Sequence, residues 1–429
     1  MKIVSIVPGF GGTFYCGNCL RDGAFVQALR EAGHDAMVLP MYLPLTSVAL
    51  AGKEALPVFY GAVNIYLRQQ FPIFRNMPAW MERMFDSAPV LKFAAGKSGS
   101  TRAQGLEKMT ESMLLGEKGY QNRELDHLVD FLKNHQKPDV VHFSNALLLG
   151  MAKRIREEVG VPIVCSLQDE DVWVDAMEPS WIDRIWKLMA EKGRDVDAFV
   201  AVSSWFAGVM QEKMDIPAEK ISVVPIGVKP SDYSTSPPAL APRAIGYLSR
   251  ICEENGFEIL VDAFILLKAD PRFNDLVLIA TGGMTGDDKP FLRRQLKKLE
   301  NKNLGRHLEI LPDFTPGNLA AFFNALTLLS VPVLKGEAFG LYQVESLASG
   351  VPIVQPELGA FPEIVLTTGG GVLYHPNTAE ALADCLAGVL SDAAALDRMS
   401  RVGRRSVEEK FDCKKLTGQM LKVYEKVIR

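Results

Sequence analysis

The residues with the most chemical content lie in one run, Glu337-Ala338-Phe339-Gly340-Leu341-Tyr342-Gln343-Val344-Glu345. An apolar stretch, Leu328–Val333, reads as a buried strand, and the run then opens a helix that continues to Ser349 and is stopped by Gly350. The free amides of a helix start attract anions, and glycine lets a ligand approach the backbone closely. Glu345 falls more than a turn inside, where a carboxylate can accept from a vicinal diol such as a ribose, as an acidic residue does in dinucleotide folds. Two glutamates at this separation are common by chance, so the strand–turn–helix setting carries the reading.

A second run, Gly246-Tyr247-Leu248-Ser249-Arg250, leads through Asn255 to Gly256. Here a strand delivers an arginine to the carboxyl end of a sheet, where open α/β sheets bind ligands. The guanidinium fork matches phosphate oxygens; the alternative is a surface ion pair. Pro8-Gly9-Phe10-Gly11-Gly12-Thr13 could cradle phosphate or simply turn the chain, since it lacks both G-x-G-x-x-G and the Gly-Lys-Ser/Thr ending of a P-loop. Asp169-Glu170-Asp171 could hold a divalent cation bridging a diphosphate, but a solvated acidic loop is the commoner reason for such a cluster. Cys16-Gly17-Asn18-Cys19 has no second Cys or His pair at ligand spacing, so it reads as a turn rather than half a zinc site or a redox pair.

These residues need elements to position them. Strand and helix signals alternate from end to end, which predicts an α/β protein with parallel sheets covered on both faces. The expected strands are Lys2–Val7, Asp35–Leu39, Asp139–Phe143, Pro162–Leu167, Ala198–Val202 and Ile221–Val224, then Ala244–Leu248, Leu276–Thr281, His307–Leu311, Leu328–Val333, Pro352–Val354 and Gly371–Tyr374. Helices are expected through Phe25, Leu29 and Ala32 with a stop at Gly33, at Ala146–Val159, at Trp205–Met214 and at Asp412–Ile428, the last with Leu416, Met420, Val423 and Val427 on one face. A single sheet of that size exceeds the usual limit of ~10 strands. The serine- and proline-bearing stretch 229–242 has linker composition, which divides the chain into a first domain at 1–228, a second at 243–411 and a terminal helix at 412–429.

The segment Leu45–Gly119 interrupts the first alternation. It mixes aromatics (Phe71, Phe74, Trp80, Phe85, Phe93) with Arg68, Arg75, Arg83, Lys92, Lys97 and Arg102 at helical spacing. A basic amphipathic insert can lie on a membrane or grip a lipid-linked acceptor. Glu82, Asp86, Glu107 and Glu111 dilute that charge and favour a packed helical subdomain with a solvated face.

Bulk properties exclude several classes. The 429 residues suit two α/β domains, and 48% hydrophobic with 23% charged residues is a globular composition. A net charge of −4 gives no general attraction to nucleic acid or anionic membrane, so any anion needs a local site. No apolar run approaches the ~18 residues of a membrane span, and the first residues read as a strand rather than a signal peptide. The six scattered cysteines have the look of a reducing compartment, so a cytoplasmic location is expected, with the insert as the means of any contact at the inner membrane face.

Over nearly its whole length the sequence resembles the retaining GT-B glycosyltransferases of family 4, the glycosyl transferases group 1. The residues that carry this are Pro8…Gly11-Gly12 and Gly33-His34-Asp35, Val224-Pro225-Ile226-Gly227-Val228, Leu248-Ser249-Arg250…Gly256, Ala280-Thr281-Gly282-Gly283, Glu337-Ala338-Phe339-Gly340…Glu345-Ser346-Leu347-Ala348-Ser349-Gly350-Val351-Pro352, and Gly359-Ala360-Phe361-Pro362-Glu363. The resemblance implies two Rossmann-like doubly wound domains facing a cleft, with the terminal helix crossing back to the first. It implies transfer of a sugar from a nucleoside-diphosphate sugar to an acceptor hydroxyl with retention, in glycan or envelope polysaccharide synthesis. The sugar nucleotide is then a co-substrate, with no cofactor, metal or nucleic acid. Glu345 would hold the ribose. Glu337 and the Phe339-Gly340-Leu341 backbone would meet sugar and phosphates, with Gly283 nearby, and Arg250 would neutralise the diphosphate. Gly11, Gly12 and the insert would face the acceptor side and the donor's edge.

Three departures stand out. The lysine that usually partners the strand-exit arginine is Asn255, the second histidine two residues after His142 is Ser144, and Pro-Asn-Gly before the linker is Pro225-Ile226-Gly227. His142 is therefore carried as a candidate sugar contact, and Asn255 as a donor-site residue of changed charge. These changes keep open a non-catalytic sugar-nucleotide-binding subunit. A GT-B epimerase or phosphorylase is the rival enzyme, and a nicotinamide dehydrogenase is disfavoured by the missing glycine fingerprint.

Overall fold

The computed structural model describes residues 1–9, 14–15, 17–41, 103–234 and 238–428. Gly11, Gly12, Cys16 and most of the insert (45–102) lie outside the described residues.

Two parallel six-stranded sheets form the two halves. In the first, β1 (Lys2–Val7), β2 (Asp35–Pro40), β3 (Val140–Phe143), β4 (Ile163–Leu167), β5 (Ala198–Ala201) and β6 (Ile221–Val223) stand in the order β2-β1-β3-β4-β5-β6. In the second, β7 (Ala244–Leu248), β8 (Val277–Thr281), β9 (Leu308–Ile310), β10 (Leu328–Leu329), β11 (Ile353–Pro356) and β12 (Gly371–Tyr374) stand in the order β12-β11-β10-β7-β8-β9. The central strands are apolar on both faces because helices cover both, which is why they read as continuous runs rather than alternations. Ile3, Val4 and Ile6 of β1 and Ile245, Tyr247 and Leu248 of β7 are all without exposure.

Each expected strand is present, with one large difference in length. The run expected as Leu328–Val333 is a strand only at Leu328–Leu329. Ser330 still donates to the Gly246 carbonyl at 3.0 Å, but Pro332 has no N–H to continue the ladder. The expected helix Ala146–Val159 begins as a 3-10 turn, Ala146–Met151, started by Asn145 accepting from the Leu147 amide at 3.1 Å, and becomes α-helical at Ala152.

Clustering of the backbone divides the chain into two compact units. The first comprises Met1–Gly11, Asn18–Val224 and Thr417–Arg429; the second comprises Gly12–Gly17 and Pro225–Leu416. The boundary thus falls before Pro225, and the segment read from its composition as a linker (229–242) belongs to the second unit. Pro230 is buried, Tyr233 donates to Glu345 at 2.8 Å, and the Tyr233 carbonyl accepts from Arg404 at 3.2 Å. Pro230 opens the 3-10 turn Pro230–Asp232, so the described residues before 235 are a packed coil rather than a free tether. The terminal helix Cys413–Ile428 buries Leu416, Met420 and Val423 as its spacing predicts, and also Tyr424, which the apolar pattern passed over.

In the second sheet the chain first builds outward from β7 through β8 to β9, then returns to the other side of β7 with β10 and builds outward again. The connections after β7 and β10 therefore leave in opposite directions, and the carboxyl ends of these two neighbours frame a crevice. Gly256 holds one wall. It sits at φ +73°, and a Cβ there would lie 1.8 Å from the Pro332 carbonyl oxygen. Gly256→Ala should cost about 2–4 kcal/mol, from the left-handed backbone and the collision with main chain together. Urea denaturation checks this; a midpoint equal to that of the unmodified chain contradicts it.

Candidate functional site

The loops that leave β7, β8 and β10 bring together Arg250, Asn255, Gly283, Glu337, Phe339, Gly340, Leu341 and Glu345, all within the second unit. Gly340 caps the helix Leu341–Ala348 at φ +77°, and the Glu337 carboxylate lies against it, since a Cβ on Gly340 would be 3.1 Å from Glu337 Oε2. The Gly336–Glu337 backbone packs on Gly359–Ala360, with the Ala360 amide donating to the Glu337 carbonyl at 3.0 Å. Phe339 and Leu341 are buried, so they offer backbone rather than side chains to a ligand.

Glu345 is 4% exposed, and both of its oxygens are engaged. Tyr15 donates its hydroxyl to Oε2 at 2.5 Å, and Tyr233 donates to Oε1 at 2.8 Å. Burial pushes the carboxyl up to about 7 against the pull of the two hydroxyls. Each carboxylate oxygen has two acceptor positions, so two phenols do not exhaust the group.

Arg250 leaves β7 as expected but is paired. Its Nε and Nη2 donate to Asp288 at 2.8 and 2.7 Å, and Nη2 also reaches Thr285 Oγ1 at 3.2 Å. Asp288, 2% exposed, is fixed by the Thr285 amide and hydroxyl, both donating to Oδ2 at 2.7 Å. Asn255 braces the same turn: its Nδ2 donates to Ser249 Oγ at 2.8 Å and to the Arg250 carbonyl at 3.3 Å. Tyr247 adds bonds to the Arg250 and Asn255 carbonyls at 3.0 and 3.2 Å. In place of a second cation the turn has a neutral brace.

His142, carried forward as a catalytic candidate, lies on β3 in the first unit and is 2% exposed. Both ring nitrogens are engaged, Nδ1 with Tyr424 Oη at 2.5 Å and Nε2 with Ser166 Oγ at 2.8 Å. Burial, then the Arg21 charge, holds it down to about 3, so it is neutral. His142 is thus part of a buried polar network. Arg21 donates to Ser166 and Gln168 at 2.7 Å each, and Gln168 Nε2 donates to the Ser144 carbonyl at 2.8 Å. Of the acidic triplet read as a solvated loop or a cation site, Glu170 is neither, because it is 1% exposed. It accepts from the amides of Ala146 at 2.8 Å and Gln168 at 2.7 Å. Among the described residues no group of three or more His, Cys, Asp and Glu is placed to hold a metal ion.

Sequence reasoning passed over Tyr15, Tyr233, Asp288, Arg21 and Tyr424. Only Asp288 had a local signal: Thr285-x-x-Asp288 is a helix-start capping pattern, here before the helix Lys289–Asn301.

With this geometry in place, comparison with known proteins is decisive. Residues 235–406 match the family model described as glycosyl transferases group 1, and residues 112–232 match that of Glycosyltransferase Family 4. The chain belongs to the group 1 and family 4 glycosyltransferases. Among relatives, the lipopolysaccharide core biosynthesis mannosyltransferase LpsB of Rhizobium meliloti is 28% identical over 44% of this chain and 53% of its own. The MMP alpha-(1->4)-mannosyltransferase of Mycolicibacterium hassiacum is 26% identical over 68% of this chain and 71% of its own. The match thus spans only about half the length of the first of these. Among solved structures, sucrose-phosphate synthase from Thermosynechococcus elongatus superposes with a TM-score of 0.70 at 16% identity, covering 99% of both chains. Anabaena HepE in complex with UDP gives 0.68 at 17%, covering 99% of this chain and all of that one. These likenesses show the fold, the two-domain Rossmann-like GT-B class.

The buried acids set the pH dependence of stability. Burial pushes Glu170 up to about 8 from an ordinary value of 4.5, so the folded chain binds a proton that the unfolded chain has released. That contribution is complete below pH 4.5 and is lost as pH rises through about 8; Glu345 acts in the same direction up to about 7. His142 acts oppositely, but only below its ordinary value of 6.5. The melting temperature should therefore fall between pH 6.5 and 8.5, and Glu170→Gln should flatten the fall. Thermal melts across that span check it, and a rise with pH in both proteins contradicts it.

Proposed function

We propose that this glycosyltransferase takes its sugar from a nucleoside-diphosphate sugar, bound in the second unit, and passes it to an acceptor hydroxyl with retention and without a metal. The observation that carries the reading is that Arg250 leaves β7 and Glu345 lies in the helix that follows β10, the two neighbours at which the strand order reverses. A ribose needs an acceptor for its diol, and a diphosphate needs a cation and amide donors. Gly283 and the Glu337–Leu341 backbone complete the donor set. Breaking the anomeric bond leaves positive charge on the sugar and negative charge on the departing phosphate; Arg250 and the helix-start amides stabilise the latter. Attack on the same face, assisted by the leaving phosphate, retains configuration.

Structures of the same fold include HepE bound to UDP and to UDP-glucose, and relatives in sequence include mannosyltransferases of lipopolysaccharide core and of phosphatidyl-myo-inositol. We extend this to a glycan or lipid-linked acceptor reached at the inner face of a membrane. Among the described residues no helix is long and apolar enough to cross one. The second reading, a binding subunit without turnover, is favoured by the neutral Asn255 brace and the Asp288 partner on Arg250. Thermal-shift screening of sugar nucleotides, followed by measurement of nucleotide release from the one that stabilises the chain, separates the two.

Two outcomes follow. Arg250→Ala should lower that release roughly 10²–10³-fold, and should also cost about 3 kcal/mol of stability because it strands the buried Asp288 carboxylate. Arg250→Ala combined with Asp288→Ala should regain most of the stability and none of the rate. Denaturation and rate measurements on both proteins check this; a double variant with restored turnover removes Arg250 from the phosphate site. Excess chelator should leave the rate unchanged. Loss of rate with recovery on adding magnesium or manganese would instead return attention to Asp169 and Asp171.

A further inference from the structure

Phe14 and Tyr15 follow β1 in sequence, yet they lie in the second compact unit, on the groups that the donor reading assigns to ligand. Phe14 forms an isolated antiparallel bridge with Gly283, and the Tyr15 amide donates to the Gly282 carbonyl at 2.7 Å. The Phe14 ring stands 5.8 Å from the guanidinium carbon of Arg250. The Tyr15 hydroxyl meets Glu345 Oε2 at 2.5 Å. Gly17 lies against the helix start, where a Cβ would be 3.1 Å from Leu341 Cβ. Within four residues the chain touches the strand-exit arginine, the β8 glycine turn, the helix start and the buried carboxylate.

Each contact has a counterpart in a nucleotide. A ring against the Arg250 guanidinium takes space that the donor reading gives to phosphate, and a hydroxyl on Glu345 resembles a ribose hydroxyl. The physical need is plain. A carboxylate buried as deeply as Glu345 is costly to leave without donors, so a site that binds ribose only part of the time requires something to satisfy the acid when empty.

We propose that the Phe14–Tyr15 segment is an internal occupant of the nucleotide site, with the Tyr15 hydroxyl holding the place of a ribose hydroxyl on Glu345, and that donor binding displaces it. This rests on the donor reading above. Tyr15 is the partner suited to leave. Tyr233 is locked by its own surroundings: its amide bonds to the Pro230 carbonyl and its carbonyl to Arg404, both at 3.2 Å. Tyr15 is held through a turn of two left-handed glycines, Gly282 at φ +117° and Gly283 at φ +69°. Tyr233 remains on Oε1, so the acid is never bare during the exchange. The consequence is an affinity set by competition: the measured nucleotide affinity is the intrinsic one reduced by the fraction of molecules in which the segment is out.

Tyr15→Phe keeps the ring and deletes the competing hydroxyl. Calorimetry with uridine diphosphate and with guanosine diphosphate on the full chain should show the better-binding nucleotide held about five- to fiftyfold tighter by this variant. In the unmodified chain, saturating nucleotide should speed hydrogen exchange of the Tyr15 amide, because its bond to Gly282 opens. Equal or weaker binding by Tyr15→Phe overturns the proposal, as does slower exchange at Tyr15 with nucleotide, since either result makes the tyrosine a partner of the bound ligand. The exchange measurement needs no substitution, so it decides the matter even if the variant folds poorly. If neither nucleotide binds the unmodified chain or the variant at millimolar concentration while both keep native circular dichroism, the donor reading itself fails, and the displacement with it.

Discussion

In the second unit the reversal of strand order between β7 and β10 governs what the remaining residues can do. Two parallel neighbours whose connections depart to opposite sides cannot be closed over by the same crossover, so their carboxyl ends stay open between them. The sheet delivers Arg250 on one side of that gap and the helix from Leu341 to Ala348 on the other. The glycines at 256, 336 and 359 are the means by which the walls are held close, since each has main chain of another loop where a side chain would begin. Catalytic potential here is a property of backbone routing first, and of side chains second.

The charges inside that gap are arranged unusually. Arg250 shares its fork with a buried aspartate, and Asn255 binds the turn together without adding charge. In the donor reading proposed above, the positive field at the diphosphate is then weaker than two cations would give, and the helix-start amides carry more of the burden. The same economy governs Glu345, whose charge is offset by phenols rather than by a cation. Arg250 is thus held in place before any ligand arrives, while Glu345 keeps Tyr233 as a fixed partner.

How much of this the sequence discloses depends on separation along the chain. Strand edges at Lys2–Val7, Ala244–Leu248 and Gly371–Tyr374 follow from apolar runs bounded by turn residues, and they coincide with the elements formed. β10 is shorter than its apolar run suggests because that run continues through a proline that cannot pair. The positions of Arg250 after β7 and of Glu345 in the helix after β10 are legible, since both sit next to strongly patterned elements. Their partners are not: Tyr15 lies 330 residues from Glu345, Tyr233 lies 112 away, and Asp288 lies 38 from Arg250. His142 shows the same limit in reverse. Its position on β3 was readable, while Tyr424, 282 residues later, decides what its ring does. Periodicity is a local statistic, and a buried hydrogen bond between distant segments leaves no trace in it.

The packing of residues 225–234 onto the second unit has a consequence for dissecting this protein into pieces. The match to the glycosyl transferases group 1 model begins at residue 235, which invites a cut there to obtain that half alone. Such a fragment would retain Glu345 within its helix but lose Tyr233, only two residues upstream of the cut, and Tyr15, which belongs to the same compact unit despite its place near the amino terminus. The half-protein would carry a buried acid stripped of both hydroxyls. Its folding and its ligand preference would then report on the severed chain rather than on the domain as it exists in the whole molecule.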